Sequence, residues 1–142
     1  MNQIFEDLPP ELSAILQEQR DWVKGHYIEN ADEEYASIEG KLRLLDVIIK
    51  EKWIEPHETY KLQSLGATLG DAFAMDEDYK WLQVTDELGT DPALRYKQTS
   101  IVIFPRTMIS KRIENGEDVD VYDLFLGIKK YVQDKASEAN PA

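Results

Sequence analysis

The sequence predicts an α+β fold in which an antiparallel meander of about three strands packs against N- and C-terminal helices. Over most of the chain, apolar residues recur at alternating intervals of three and four, which is typical of helices buried on one face. Only between Tyr79 and Phe104 does the period change to two, the spacing of strands. A length of 142 residues is that of one domain, so residues 1–142 are predicted to form a single domain.

A first helix is predicted within an N-terminal helical segment, residues 1–29. Pro9 and Pro10 open it, because the first turn of a helix does not need the amide hydrogen that proline lacks. We expect it to end near Gly25. Its buried stripe is predicted to consist of Leu8, Leu12, Ile15, Leu16, Gln19, Trp22 and Val23.

A second helix is predicted from Asn30 to Ile49. Asn30 and Glu33 have the spacing of a capping box, and apolar residues follow at helical intervals. Residues 44–49 are apolar nearly all round. This indicates a position near the centre of the core.

A third helix is predicted after Pro56, and it carries Gly66 and Gly70 four residues apart. Glycine in a helix interior costs about 1 kcal/mol relative to alanine. We therefore expect another element to approach this helix closely, with packing against the sheet as the preferred explanation.

The alternating segment predicts the strands of the meander. Tyr79–Glu87 is the first strand, Leu88–Pro92 the turn, and Ala93–Lys97 the hairpin partner. Ser100–Phe104 holds four consecutive apolar residues and is predicted to be the buried central strand, ended by Pro105.

Two further helices are predicted near the C-terminus. A short one covers Thr107–Glu114 and ends at Asn115–Gly116, a pair typical of a left-handed exit. The last helix begins after Asp120, whose carboxylate can accept amide hydrogens of the first turn. Residues 135–142 are predicted to be a frayed tail.

The composition is that of a soluble globular protein, with 42% hydrophobic and 31% charged residues. No apolar run approaches the roughly 18 residues that a membrane span needs, and the N-terminus does not resemble a secretory signal. We therefore expect a cytoplasmic protein without membrane attachment. The absence of cysteine excludes disulfides and thiolate metal sites, and a net charge of −12 disfavours general nucleic-acid binding.

Four pieces of the chain, in a fixed order, resemble a known family. They are Leu65–Asp71, Trp81, Asp86–Arg95 and Phe104–Glu114. Over roughly Asn30–Phe125 the chain resembles a bacterial family catalogued only as a domain of unknown function. This resemblance implies a bacterial single domain and supplies no catalytic or binding residues. The outline, a glycine-containing helix before a Trp-bearing strand and a proline-ended strand, is also similar to that of several toxin-immunity families.

Charge is distributed unevenly along the chain. Residues 92–113, a stretch of 22 residues, contain no Asp or Glu and carry a net charge of +5. The other 120 residues hold 28 acidic and 11 basic residues, a net charge of −17. Two readings remain open: internal pairing with the acidic helices, or recognition of an anion or an acidic partner. We expect the basic residues to converge at one edge of the sheet; they are Arg95, Lys97, Arg106, Lys111 and Arg112.

Other motifs indicate structure more than chemistry. His26 and His57 lack the spacing of metal ligands, so no metal site is predicted. Leu65–Gly70 lacks the Lys-Ser/Thr ending of a phosphate loop. The carboxylates of Asp86, Glu87 and Asp91 have no accompanying base or nucleophile in the sequence pattern. No catalytic residue and no cofactor are assigned.

Two hypotheses of function follow. The leading one is a non-catalytic interaction module, immunity- or inhibitor-like, whose acidic helical face binds a basic protein partner. The alternative is a small anion-binding protein or enzyme that uses the 92–113 stretch. The candidate binding residues are Arg95, Arg106, Lys111 and Arg112, with Trp81 or Tyr96 lining the pocket.

Overall fold

A computed structural model describes residues 3–139, which form six helices and a four-stranded antiparallel sheet. This confirms the predicted α+β class, with one strand more than expected. In chain order the elements are β1 (Ile4–Glu6), α1 (Pro10–Lys24), α2 (Ala31–Tyr35), α3 (Ile38–Lys50), α4 (Thr59–Ala74), β2 (Tyr79–Asp86), β3 (Gly89–Tyr96), β4 (Val102–Ile103), α5 (Pro105–Glu114) and α6 (Val121–Ala139).

The predicted first helix is confirmed as α1, but the predicted second helix is wrong as a single element. It is divided into α2 and α3, with Ala36 and Ser37 between them. Asn30 has a left-handed backbone with φ of 55°, and its side chain makes no capping hydrogen bond. Ser37 has the extended backbone typical of a capping residue, and its Oγ accepts the Gly40 amide at 2.9 Å. The cap is therefore seven residues later than predicted.

Helix α4 is the central helix of the fold, and it packs against α1, α3, α5 and β2. A Cβ atom at Gly66 would lie 2.4 Å from the carbonyl oxygen of Arg106 in α5. At Gly70 it would lie 2.3 Å from Cζ2 of Trp81 in β2. The expected close approach is confirmed at both glycines, but only Gly70 faces the sheet.

The sheet has the strand order β1-β2-β3-β4, and all neighbouring strands are antiparallel. The prediction that Ser100–Phe104 forms the central strand is wrong, because β4 has two residues and lies at the edge. The Tyr96 amide donates to the Ile101 carbonyl at 2.9 Å, and α5 begins directly after Phe104. Between this turn contact and α5, Val102 and Ile103 are the residues that form the ladder with β3. Strand β1, which the sequence pattern did not predict, pairs with the other side of β2.

The β2–β3 hairpin has a tighter turn than predicted. Asp86 pairs with Gly89, so only two residues, Glu87 and Leu88, lie between the strands. Gly89 has φ of 131°, a conformation that favours glycine. Pro92 lies inside β3, where the strand has no partner on its other side, since β4 pairs only further along. A proline is tolerated at such an edge position.

Both C-terminal helices are confirmed, although α5 begins at Pro105, two residues earlier than predicted. Oδ1 of Asp120 accepts the amides of Tyr122 and Asp123 at 3.0 and 3.1 Å, as expected for the cap of α6. Helix α6 includes the first residues of the segment predicted to fray. Residues 140–142 lie outside the described part of the chain, and fraying stays a prediction.

The core surrounds α4. Phe73 contacts Phe125 of α6, with ring centroids 4.6 Å apart, and Tyr79 of β2, with centroids 5.6 Å apart. Leu45 and Ile48 of α3 are buried in the same cluster, whereas Val47 is exposed, so the segment 44–49 faces the core on one side only. One core thus joins the helices to the sheet.

Candidate functional site

The basic residues of the 92–113 stretch lie on separate surfaces. Arg95 and Lys97 line one cleft, of about 300 Å³, together with Phe5 and Lys80; we call it the β1 cleft. Arg106 and Lys111 line a second cleft of about 290 Å³, which we call the α5 cleft. The structure therefore places four of the five residues in two separate clefts and does not gather them at one edge of the sheet.

Arg95 is held by its own loop. Its Nε donates to the Thr99 carbonyl at 2.6 Å and its Nη2 to the Gln98 carbonyl at 3.2 Å. The guanidinium lies 4.1 Å from the centroid of the Phe5 ring, a cation–π contact. Arg95 thus closes the 97–101 turn and attaches β1 to the sheet.

Arg112 has a local role in α5. It lines neither cleft, and its Nη1 donates to the Met108 carbonyl one turn earlier, at 2.8 Å. Within residues 3–139, none of the five basic residues forms an ion pair with a carboxylate. Internal pairing by these residues, the first reading of the 92–113 stretch, is therefore wrong for the described part of the chain.

The α5 cleft lies between helix α5 and the β2–β3 hairpin. Arg106, Thr107 and Lys111 project from the helix, and Asp86 and Asp91 project from the hairpin. Nε of Arg106 also donates to Oε1 of Gln19, at 3.2 Å. The remaining lining is apolar: Leu88, Pro92 and Phe104.

Trp81 and Tyr96, predicted to line an anion pocket, are placed elsewhere. Neither belongs to the lining of the two clefts. Nε1 of Trp81 donates to Oδ1 of Asp71 at 3.0 Å, and the Tyr96 ring meets the Tyr79 ring edge to face at 5.2 Å. Both side chains thus contribute to packing. Whether the six candidate residues bind a ligand stays a prediction.

Asp71 is the centre of a polar network that the sequence reasoning missed. Its carboxylate accepts two hydrogen bonds from the Arg20 guanidinium, one of them at 2.9 Å. It also accepts the Tyr35 hydroxyl and the Trp81 indole. Four donors from α1, α2 and β2 thus meet one carboxylate of α4. The sequence offered one sign of this network: Asp71 is a charged residue directly before Ala72 and Phe73, two apolar residues that are buried in α4.

The network has electrostatic consequences. The hydrogen bond to Asp71 raises the pKa of Arg20 above its usual value. Burial, followed by the negative charge of Asp71, raises the pKa of the Tyr35 hydroxyl. Arg20 therefore stays charged and Tyr35 stays protonated, so that both remain donors.

Lys41 is a second buried charged residue beside this network, with 3% of its surface exposed. Its Nζ donates to the Tyr35 carbonyl and lies 4.5 Å from the centroid of the Tyr35 ring. Burial lowers the pKa of the Lys41 amine. The ring, the carbonyl oxygen and the negative charge of Asp71 offset part of the cost of burying its charge.

An exposed apolar patch lies beside α3. We call Ile28, Val47 and Trp53 the Trp53 patch; Ile28 is 98% exposed and Trp53 is 50% exposed. The His26 ring lies between two tryptophans, with centroids 4.3 Å from Trp22 and 6.1 Å from Trp53. Glu29 and Glu34 line the same shallow cleft as the patch.

The two histidines lie on the loops that follow α1 and precede α4. In the described part of the chain, no three His, Asp or Glu side chains gather as a metal site requires. None of the helices within 3–139 combines the length and the apolar character needed to cross a membrane. The expectations of no metal and no membrane attachment stay predictions.

The fold is of the α+β class, with helices packed around the central helix α4 and a four-stranded antiparallel sheet. A family model matches the greater part of the chain. The match covers residues 41–125 and is to a domain of unknown function, DUF3806. Because it spans more than half of the chain, the protein belongs to this family. The predicted resemblance to a domain of unknown function is thereby confirmed.

A solved structure shares the fold. It is a crystal structure from Bacteroides thetaiotaomicron VPI-5482 at 1.50 Å resolution, with a TM-score of 0.78 and 14% sequence identity. The similarity covers 92% of this chain and 48% of that one, so this chain spans about half the length of its structural neighbour. At this identity the likeness concerns the fold alone. A search of curated proteins found no match.

Proposed function

We propose that this protein is a non-catalytic interaction module that binds a basic partner protein through the Trp53 patch and the carboxylates beside it. The observation that carries the proposal is a shallow cleft that combines the exposed apolar side chains of Trp53 and Ile28 with Glu29, a carboxylate that forms no ion pair within residues 3–139. Trp53 is half exposed, and tryptophan is among the residues most enriched at binding hot spots, so its exposed ring favours an interface here. Ile28, almost fully exposed, extends the apolar area.

The charge around the patch supports a basic partner. Residues 28–58 contain nine acidic and four basic residues, a net charge of −5. Two of the basic residues are already paired, Arg43 with Glu34 and Lys50 with Asp46. In the described part of the chain, Glu29 and Glu33 form no ion pair and remain available to lysine or arginine of a partner.

The role fits the charge of the whole chain. A net charge of −12 repels nucleic-acid phosphates and accelerates encounter with a positively charged protein. A cytoplasmic immunity- or inhibitor-like protein, which masks the basic surface of another protein, is one form of this function.

The proposal is tested by affinity purification from the native cell with the wild type and Trp53→Ala. We expect the wild type to retain a protein of high isoelectric point, and Trp53→Ala to lose it. Because the carboxylates contribute, the retained protein should also dissociate as the salt concentration rises.

A matched control is Tyr131→Ala, which removes another half-exposed aromatic side chain from the remote helix α6. This variant should retain the same partner as the wild type. If Trp53→Ala and the wild type recover the same proteins in equal amounts, the Trp53 patch is not the interface. If the retained protein is acidic, the charge argument is wrong.

A further inference from the structure

The α5 cleft presents opposite charges on its two walls. Arg106 and Lys111 form the helix wall, and Asp86 and Asp91 form the hairpin wall. Within residues 3–139 no nitrogen of the two basic side chains lies within 4.0 Å of a carboxylate oxygen. The walls therefore face each other across a gap without pairing.

Each wall keeps hydrogen-bonding capacity. Arg106 uses Nε for Gln19, and its two Nη groups have no partner within residues 3–139. Oδ1 of Asp86 accepts the Leu88 amide at 2.8 Å, which leaves Oδ2 for another donor. The side chains of Lys111 and Asp91 are exposed and form no hydrogen bond within the same described range.

We propose that this cleft binds a small zwitterion with an apolar body, of the amino-acid or dipeptide class. The carboxylate of the ligand pairs with Arg106 and Lys111, and its ammonium group pairs with Asp86 and Asp91. A simple anion, which the 92–113 stretch alone favours, would be repelled by the two aspartates. The apolar body packs on side chains that line the cleft between the charged walls: Leu88, Pro92 and Phe104.

The β1 cleft has mixed charge as well, but its geometry is less suitable. The Arg95 guanidinium there is engaged by two carbonyls and by the Phe5 ring. Apolar side chains are also fewer among its lining residues than in the α5 cleft. The volume of the α5 cleft, about 290 Å³, accommodates a molecule the size of an amino acid. This inference does not depend on the proposed partner binding at the Trp53 patch.

Calorimetric titration of the full chain with three matched compounds tests the charge requirement. Norleucine carries both charged groups, hexanoate lacks the ammonium group, and pentylamine lacks the carboxylate. We expect norleucine to bind and the other two to show no saturable heat. A dipeptide such as Leu-Leu is titrated in parallel, and the tighter of the two zwitterions identifies the class. Hexanoate binding as tightly as norleucine, or no binding by either zwitterion, overturns the proposal.

Exposed residues provide variants that leave the core intact. Lys111→Gln and Asp91→Asn should each weaken the affinity about fivefold, the effect of one partly solvated ion pair. Their matched controls are Lys80→Gln and Asp78→Asn in the β1 cleft, which should bind as the wild type does. Melting temperatures of all four establish that they fold. Equal weakening by the control variants would place the ligand elsewhere and refute the assignment.

Discussion

Replacement of Asp71 offers the sharpest test of what holds this fold together. Asp71→Ala removes the acceptor of four hydrogen bonds and leaves the Arg20 guanidinium, the Tyr35 hydroxyl and the Trp81 indole without their partner. The Asp71 side chain is only 12% exposed, so water replaces it poorly. Removing one partner of a buried ion pair costs about 3 to 5 kcal/mol. Since native proteins have only about 5 to 15 kcal/mol of stability, this loss is a large fraction of the total.

The assay is urea unfolding monitored by circular dichroism, which gives the free energy of unfolding. Asp32→Asn is the matched control, because Asp32 pairs with Lys24 but is 92% exposed. Its loss should leave the free energy of unfolding nearly unchanged, because solvent and salt screen an exposed ion pair. If Asp71→Ala does not fold, Tyr35→Phe removes only one donor and should cost about 1 kcal/mol. The reasoning is refuted if Asp71→Ala costs no more than Asp32→Asn.

Two further predictions concern glycine packing and the basic stretch. Gly66→Ala should destabilise the fold by about 2 kcal/mol, because its Cβ would meet the Arg106 carbonyl oxygen at 2.4 Å. Gly127→Ala should stabilise α6 by up to about 1 kcal/mol, because its Cβ would have nothing within 4 Å and alanine favours the helix. Thermal melts of both variants check this, and equal shifts would contradict it. Arg95→Ala should cost about 1 to 2 kcal/mol through lost carbonyl bonds and the Phe5 contact, while Arg112→Ala should stay within about 0.5 kcal/mol. Similar melting temperatures for these two arginine variants would show that the contacts of Arg95 do not stabilise the turn.

The sequence by itself determined the elements whose signals are local. Helical periodicity places apolar residues a few positions apart on one face, so the starts of α1, α4 and α6 were predicted within a few residues of the observed ones. The Asp120 cap was predicted for the same reason, since its acceptor and donors are two and three residues apart. The break between α2 and α3 was missed because Asn30 offered a competing capping pattern.

Only the tertiary structure decided where the strands lie in the sheet and which charges meet. An apolar run predicts burial but not neighbours, so Val102 and Ile103 were expected at the centre and lie at the edge. Strand β1 has three residues, too few to show a period, and it is held by pairing with β2 far along the chain. Arg20 and Tyr35 reach Asp71 across 51 and 36 residues. The basic stretch divides between two clefts because its residues belong to different elements, Arg95 to β3 and Arg106 and Lys111 to α5. Such contacts depend on how the elements pack in space. A pattern of neighbouring residues in the sequence does not show which distant residues will meet.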